Sequence, residues 1–173
     1  MPRRCSACSA MSSTATPPDT GGPGTEDEGV AFHYRALERL YTGAPINRLF
    51  RSELTIESSG RARIGFAVTP DTFHAAGAAH GTLYFKMLDD AAFYAANTLV
   101  TDRFLLTTSF NLNFTRPVRE GAVVAQGRWI SGRRRVLVAK AWLTDEDGEL
   151  IGRGTGTFMR SPIALSGLPG YAG

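Results

Sequence analysis

Cysteine is nearly absent from this chain of 173 residues: there are two, Cys5 and Cys8, and none after them. That excludes a disulfide framework and points to a reducing setting, the cytoplasm. The pair forms a CxxC, but a zinc site needs four ligands, and the nearest histidine, His33, lies 25 residues on. Neither a metal nor a redox cofactor is expected. Charge excess is also small, at +3. Much of it falls in two short clusters, Arg3–Arg4 and Arg133–Arg135. A nucleic-acid binder more often carries a basic stripe with interleaved aromatics; none runs along this sequence, so no nucleic-acid partner is expected. A charge-free apolar run is missing too. Ala78 to Val100 is apolar nearly throughout and long enough to cross a bilayer, but Lys86, Asp89 and Asp90 sit near its middle. Each would cost about 2.5–3.5 kcal/mol there. A buried helix is expected in place of a membrane span.

What remains is a single domain with a leader and a tail. Residues 1–29 are rich in Pro, Gly, Ser and Thr, turn acidic at Glu26–Glu28, and have no apolar stretch after Arg3 and Arg4. That is a poor signal peptide, and such a segment buries too little to offset its ordering entropy. It is expected to be disordered, with Met11 as an alternative start. Val30 to Tyr41 has helical, amphipathic spacing. Gly43, Pro45 and Asn47 then break the chain. Leu49–Glu57 and Ala62–Thr69 flank Ser58-Ser59-Gly60 as a hairpin. After the long helix come four strand-like runs, 104–114, 122–130, 135–144 and 150–159, separated by turn residues. Residues 163–173 look loose. Residues 30–162 thus predict an α+β domain in which an antiparallel sheet of about six strands wraps one long buried helix, preceded by an N-terminal helix.

Two motifs stand out. One is His74-Ala-Ala-Gly-Ala-Ala-His80-Gly81-Thr82, with Asp89 eight residues after Gly81. The other is Thr107 to Pro117, TTSFNLNFTRP. Together they resemble the hotdog-fold thioesterases, in particular the PaaI-like acyl-CoA thioesterase family, over about Ala31 to Met159 in element order. The resemblance implies a hotdog fold and hydrolysis of an acyl-CoA thioester to free acid and CoA. It also implies that no cofactor is needed and that the chain forms a homodimer or a homotetramer. The chain departs from the family at three points. Thr82 stands where a second glycine is usual, His74 where Asn or Gln is common, and a second acid, Asp90, follows the expected one.

An ionised carboxylate is almost never buried without a partner. Asp89, held in an apolar pocket, fits a general base or nucleophile whose pKa burial raises toward a useful range. Asp90 is about 100° round the helix and is expected to be structural, facing a strand hydroxyl, a partner subunit or solvent. Gly81 and Thr82 open the helix, where free N–H groups carry partial positive charge and suit a thioester carbonyl that turns negative under attack. Gly81 and Asp89 are about 12 Å apart along a straight helix, too far for one thioester group. The expected solution is a dimer in which Asp89 of one subunit faces Gly81 of the other. By resemblance His80 is a site residue, and Thr107 falls where the family places a hydroxyl near the acid. His74, Asn111, Arg133 and Arg134 are further candidates for substrate contact, the arginines for CoA phosphates. Two other readings are a hydratase or dehydratase using His80 with Asp89, and an acyl-CoA-binding module without turnover.

Overall fold

The computed structural model describes residues 26–172. Most of the leader, with Cys5 and Cys8, lies outside the described residues. Its last four residues do not: helix α1 spans Glu26–Gly43, so residues 26–29 join the domain. The break expected after Gly43 is short. Ala44 is extended, and Pro45, whose fixed φ suits a first helical position, opens a second helix, α2 (Pro45–Phe50). Leu49 and Phe50 therefore belong to a helix and not to the first strand. Arg51, in the left-handed region at φ 49°, ends α2. The residue types that stop one helix here also start the next.

Strands β1 (Glu53–Ser58) and β2 (Arg61–Ala67) form the expected hairpin. Helix α3 (Gly81–Asn97) follows, then β3 (Arg103–Phe114), β4 (Ala122–Ser131), β5 (Val136–Asp145) and β6 (Leu150–Ala164). They make one antiparallel sheet in the order β1-β2-β4-β5-β6-β3, so β3 is an open edge. One face of β2, β4 and β5 is apolar at period two: Ala62, Ile64 and Phe66; Val123 and Ala125; Leu137, Ala139, Ala141 and Leu143 are all buried. This face curves round α3, whose Leu83, Met87, Leu88, Ala91 and Ala95 are at most 2% exposed.

Close approach of helix and sheet depends on one missing side chain. A Cβ on Gly127 would lie 1.8 Å from the Ala91 carbonyl oxygen. Both contacting groups are backbone, so neither can swing aside. Gly127→Ala is expected to destabilise the fold by about 1–3 kcal/mol or more, as overpacking does. Gly65→Ala, on β2 with nothing within 4 Å of its added Cβ, should be near neutral. Thermal melts of the two variants compare them.

The tail expected to be loose is packed. Leu165 is fully buried, and Tyr171 is 7% exposed. The Tyr171 hydroxyl lies 2.7 Å from His33 Nδ1, while His33 Nε2 lies 3.0 Å from the Asn97 carbonyl oxygen. Arg39 donates to the carbonyls of Gly170 (3.0 Å) and Tyr171 (3.1 Å). Two isolated apolar residues among Gly and Pro have no periodicity to announce them, yet they anchor the tail on α1 and the end of α3. Burial lowers the His33 pKa, so the imidazole is held neutral.

Candidate active site

The third turn of α3 places Asp89 beside β3. Thr107 Oγ1 donates to its carboxylate, at 3.1 and 3.2 Å from the two oxygens. Thr107 is aimed by a bulge: Thr107 pairs with Phe158 and Ser109 with Thr157, leaving Thr108 as the extra residue. Burial pushes the Asp89 carboxyl up to about 6. The Thr107 hydroxyl and Lys86 oppose that shift, and neighbouring Asp90 adds to it. Next to the carboxylate is a cavity of about 280 Å³ with Ile46, Phe93, Phe104 and Leu106 among its walls. Phe93 and Phe104 stack at 5.1 Å.

Asp90 does not meet a strand hydroxyl. It forms an ion pair with Lys86, one turn earlier. Lys86 Nζ also donates to Asn47 Oδ1 at 2.6 Å and lies 5.2 Å and 5.4 Å from the ring centres of Tyr41 and Phe50. Asn47 Nδ2 in turn donates to the Tyr41 carbonyl at 2.6 Å. This polar knot fixes α2 against α3 and forms one side of the cavity. Sequence reasoning missed Asn47 and Lys86. The i,i+4 spacing of Lys86 and Asp90 was the available signal; nothing local announced Asn47.

At the front of α3, His80 is the N-cap. Its Nδ1 accepts from the Thr82 amide at 3.1 Å and lies 2.8 Å from Thr82 Oγ1. This corrects the expected pair of free amides, because Thr82 N–H is taken by the cap. Among the described residues the Gly81 N–H meets no hydrogen-bond acceptor. A Cβ on Gly81 would sit 3.0 Å from the Phe114 ring. A strap after β3 holds this end in place: Val118 N–H donates to the Tyr84 hydroxyl at 2.8 Å, and Ala79 N–H to the Val118 carbonyl at 2.8 Å. Arg116 of the Arg-Pro pair is ion-paired with Asp145.

The remaining candidates fall elsewhere. His74 Nδ1 accepts from Ala76 N–H at 3.0 Å within its own loop. Asn111 and Asn113 lie on the face of β3 turned away from α3. Strict alternation from Thr107 would put them on the Asp89 side, but the extra residue at Thr108 reverses the parity, and Phe110 and Phe114 face the helix instead. Asn111, a candidate for substrate contact, therefore does not face Asp89 of its own chain. Arg133 and Arg134 are exposed in the β4–β5 turn, Arg133 over the Trp129 ring at 5.1 Å, and neither lines the Asp89 cavity. Within one chain, then, Thr107 and Asp89 come together, and His80, Gly81 and Thr82 sit two turns away. On α3 between them Phe85 is 40% exposed, and on the edge strand Phe114 and Leu106 are 46% and 47% exposed. Within one chain His80 and Asp89, nine residues apart, do not meet.

A six-strand sheet curled on one helix, with an acid in the helix middle and a capped glycine at its start, defines the hotdog class. The family model of the Thioesterase superfamily matches residues 76–151, from the loop before α3 into β6. Over that stretch the chain is similar to the superfamily's members. A Saccharolobus solfataricus protein that bears an esterase name is 28% identical over 100 residues, covering 58% of this chain and 67% of its own. The E. coli PaaI protein from the phenylacetic acid degradation operon superposes with a TM-score of 0.69 at 15% identity, over 77% of this chain and 98% of its own. A Haemophilus influenzae thioesterase gives 0.64 at 19%, over 71% and 86%. At these identities the structural matches speak for the fold.

Proposed function

We propose that the protein hydrolyses an acyl-CoA-type thioester to free acid and CoA, with Asp89 as the general base and the Gly81 N–H polarising the thioester carbonyl across a homodimer interface. The observation that carries this is Asp89 itself: a carboxylate with a pKa near 6, held by Thr107 at the mouth of an apolar cavity. Asp89 takes a proton from water as the water oxygen bonds to the carbonyl carbon. The Gly81 amide donates to the oxygen that turns negative. The tetrahedral adduct collapses with cleavage of the C–S bond, and the thiolate recovers the proton from Asp89. The acyl group occupies the cavity between α2, α3 and β3. Its Phe93 and Phe104 walls, and the fold shared with PaaI, favour aryl acyl groups.

The helix geometry supports the dimer, as do exposed Phe85 of α3 and exposed Leu106 and Phe114 of the open edge strand β3. The scarcity of cysteine fits a cytoplasmic setting. The direct test is thiol release over a panel of acyl-CoAs that includes aryl-acetyl and straight-chain members. Saturable release is expected, fastest with an aryl or medium acyl group. Water addition to an enoyl-CoA with no thiol released would overturn the reading.

The pH dependence is a sharper test. Asp89 works as a base only when ionised, so kcat/KM should rise with pH through about 6 and level off above it. Thr107→Val removes a hydroxyl that favours the carboxylate, so the apparent pKa should move upward while the plateau survives in part. A profile that does not shift would separate Thr107 from Asp89.

A further inference from the structure

We propose that the outer face of the sheet, away from α3, carries a second site for a nucleotide, centred on Trp142. The strand registers bring cations from four different strands onto this face. Arg61 of β2 pairs with Arg128 of β4, and Arg128 with Lys140 of β5, so three cations stand side by side. Arg63 lies two residues from Arg61, and Arg153 of β6 pairs with Trp142. Like charges placed directly opposite destabilise a sheet. None of the five forms an ion pair among the described residues. The outward positions of the other five strands carry no acid; Glu53 and Glu57 lie on the edge strand β1, next to Arg61 and Arg63 of β2 but three strands from Trp142. Arg128, Lys140 and Arg153 thus have no acid on the outward face of their own or neighbouring strands, which fits an anion that binds them.

The local chemistry narrows the ligand. Trp142 is half-buried, and its Nε1 donates to Gln126 Oε1 at 2.7 Å, which fixes the indole against the sheet. Lys140 Nζ lies 6.0 Å from its ring centre. Beside it is a cavity of about 410 Å³ lined by Asn111, Asn113, Lys140, Trp142, Arg153 and Thr155. A fixed aromatic surface suits stacking of a base. Lys140 and Arg153 flank it as partners for phosphate oxygens, and Arg128 and Arg61 continue the cationic row. The two Asn side chains and the Thr155 hydroxyl offer hydrogen bonds to base edges or ribose. A second copy of this face is a poor occupant, since its cations would repel. The α3 side of the sheet holds Asp89, so this site is separate from the proposed hydrolytic one and does not depend on that reading.

The chemistry is shared by a free nucleotide and by the nucleotide end of CoA, and the test uses both. Binding of ADP, 3′,5′-ADP, CoA and inorganic pyrophosphate is measured by calorimetry on the full chain, together with a single-stranded oligonucleotide. ADP or 3′,5′-ADP should bind saturably and more tightly than pyrophosphate. Lys140→Ala and Arg153→Ala should each weaken binding roughly tenfold or more, and Trp142→Leu should remove the preference over pyrophosphate. Asp89→Asn should leave it intact, and thermal melts confirm that the variants are folded. Retention of binding by Arg153→Ala, equal binding of pyrophosphate, or binding of the oligonucleotide alone would overturn the proposal. CoA binding that survives Arg153→Ala but is lost on blocking the Asp89 cavity would assign CoA to the hydrolytic site. ADP binding lost in Arg153→Ala would assign free nucleotide to this one.

Discussion

Asp89→Asn is expected to lower thiol release by about a hundredfold or more, the scale on which a general base contributes. The substitution keeps the size of the side chain and leaves Thr107 an oxygen to donate to, so the loss isolates the base. Stability should move the other way. The Asp89 carboxyl has a pKa near 6 in the fold against 3.8 for a free aspartate, because burial penalises the charge. The folded state therefore binds the proton more readily than the unfolded state, and stability falls as pH rises from about 4 to about 6. Above that window wild type carries the full cost and the Asn variant does not. A hundredfold slower enzyme that melts no lower than wild type at pH 7.5 is the predicted signature. A slow variant that also melts early would indicate lost structure. Asp90→Asn should show the reverse. It leaves Lys86 without its anion beside Tyr41 and Phe50, so the melting temperature drops while much of the rate remains.

The contrast between neighbouring acids shows what could be read from the chain alone. Asp89 was legible because a carboxylate in an apolar helix is costly anywhere, and its spacing from Gly81 is fixed by helix rise. The wrapping sheet was legible because alternation survives in β2, β4 and β5. Properties set by registration across strands were hidden. One extra residue at Thr108 turns Asn111 and Asn113 from the Asp89 face to the opposite one, and no local composition marks it. The basic surface sought as a stripe along the chain was absent there, yet Arg61, Arg63, Arg128, Lys140 and Arg153 gather on one face once four strands are in register. The free amides at the helix start were half right in geometry. The cap that consumes Thr82 N–H depends on how His80 is turned, which no spacing specifies. Pro45 read as a breaker because its effect depends on whether it precedes or interrupts a helix.

Mixing two inactive variants should restore activity, if each site takes Gly81 from one subunit and Asp89 from the other. Gly81→Pro is the suitable partner for Asp89→Asn. Gly81 is the first residue of α3, where proline is tolerated, and His80 already has the extended backbone, φ −69° and ψ 143°, that a following proline demands. The substitution therefore removes one N–H with little disturbance beyond a contact with the half-exposed Phe114 ring. Loss of a single oxyanion donor should cost about a hundredfold to a thousandfold in kcat. After the two variants are dissociated and reassociated in equal amounts, half the dimers are mixed. Each mixed dimer has one site with both native groups and one with neither. Activity should recover to about a quarter of wild type, the product of one half and one half for a twofold dimer with shared sites. If one chain supplied both groups, every site would lack one of them, and the mixture would stay at the level of its components. The two outcomes differ by more than tenfold, so a simple rate measurement after reassociation decides whether the 12 Å or so between Gly81 and Asp89 is bridged across subunits.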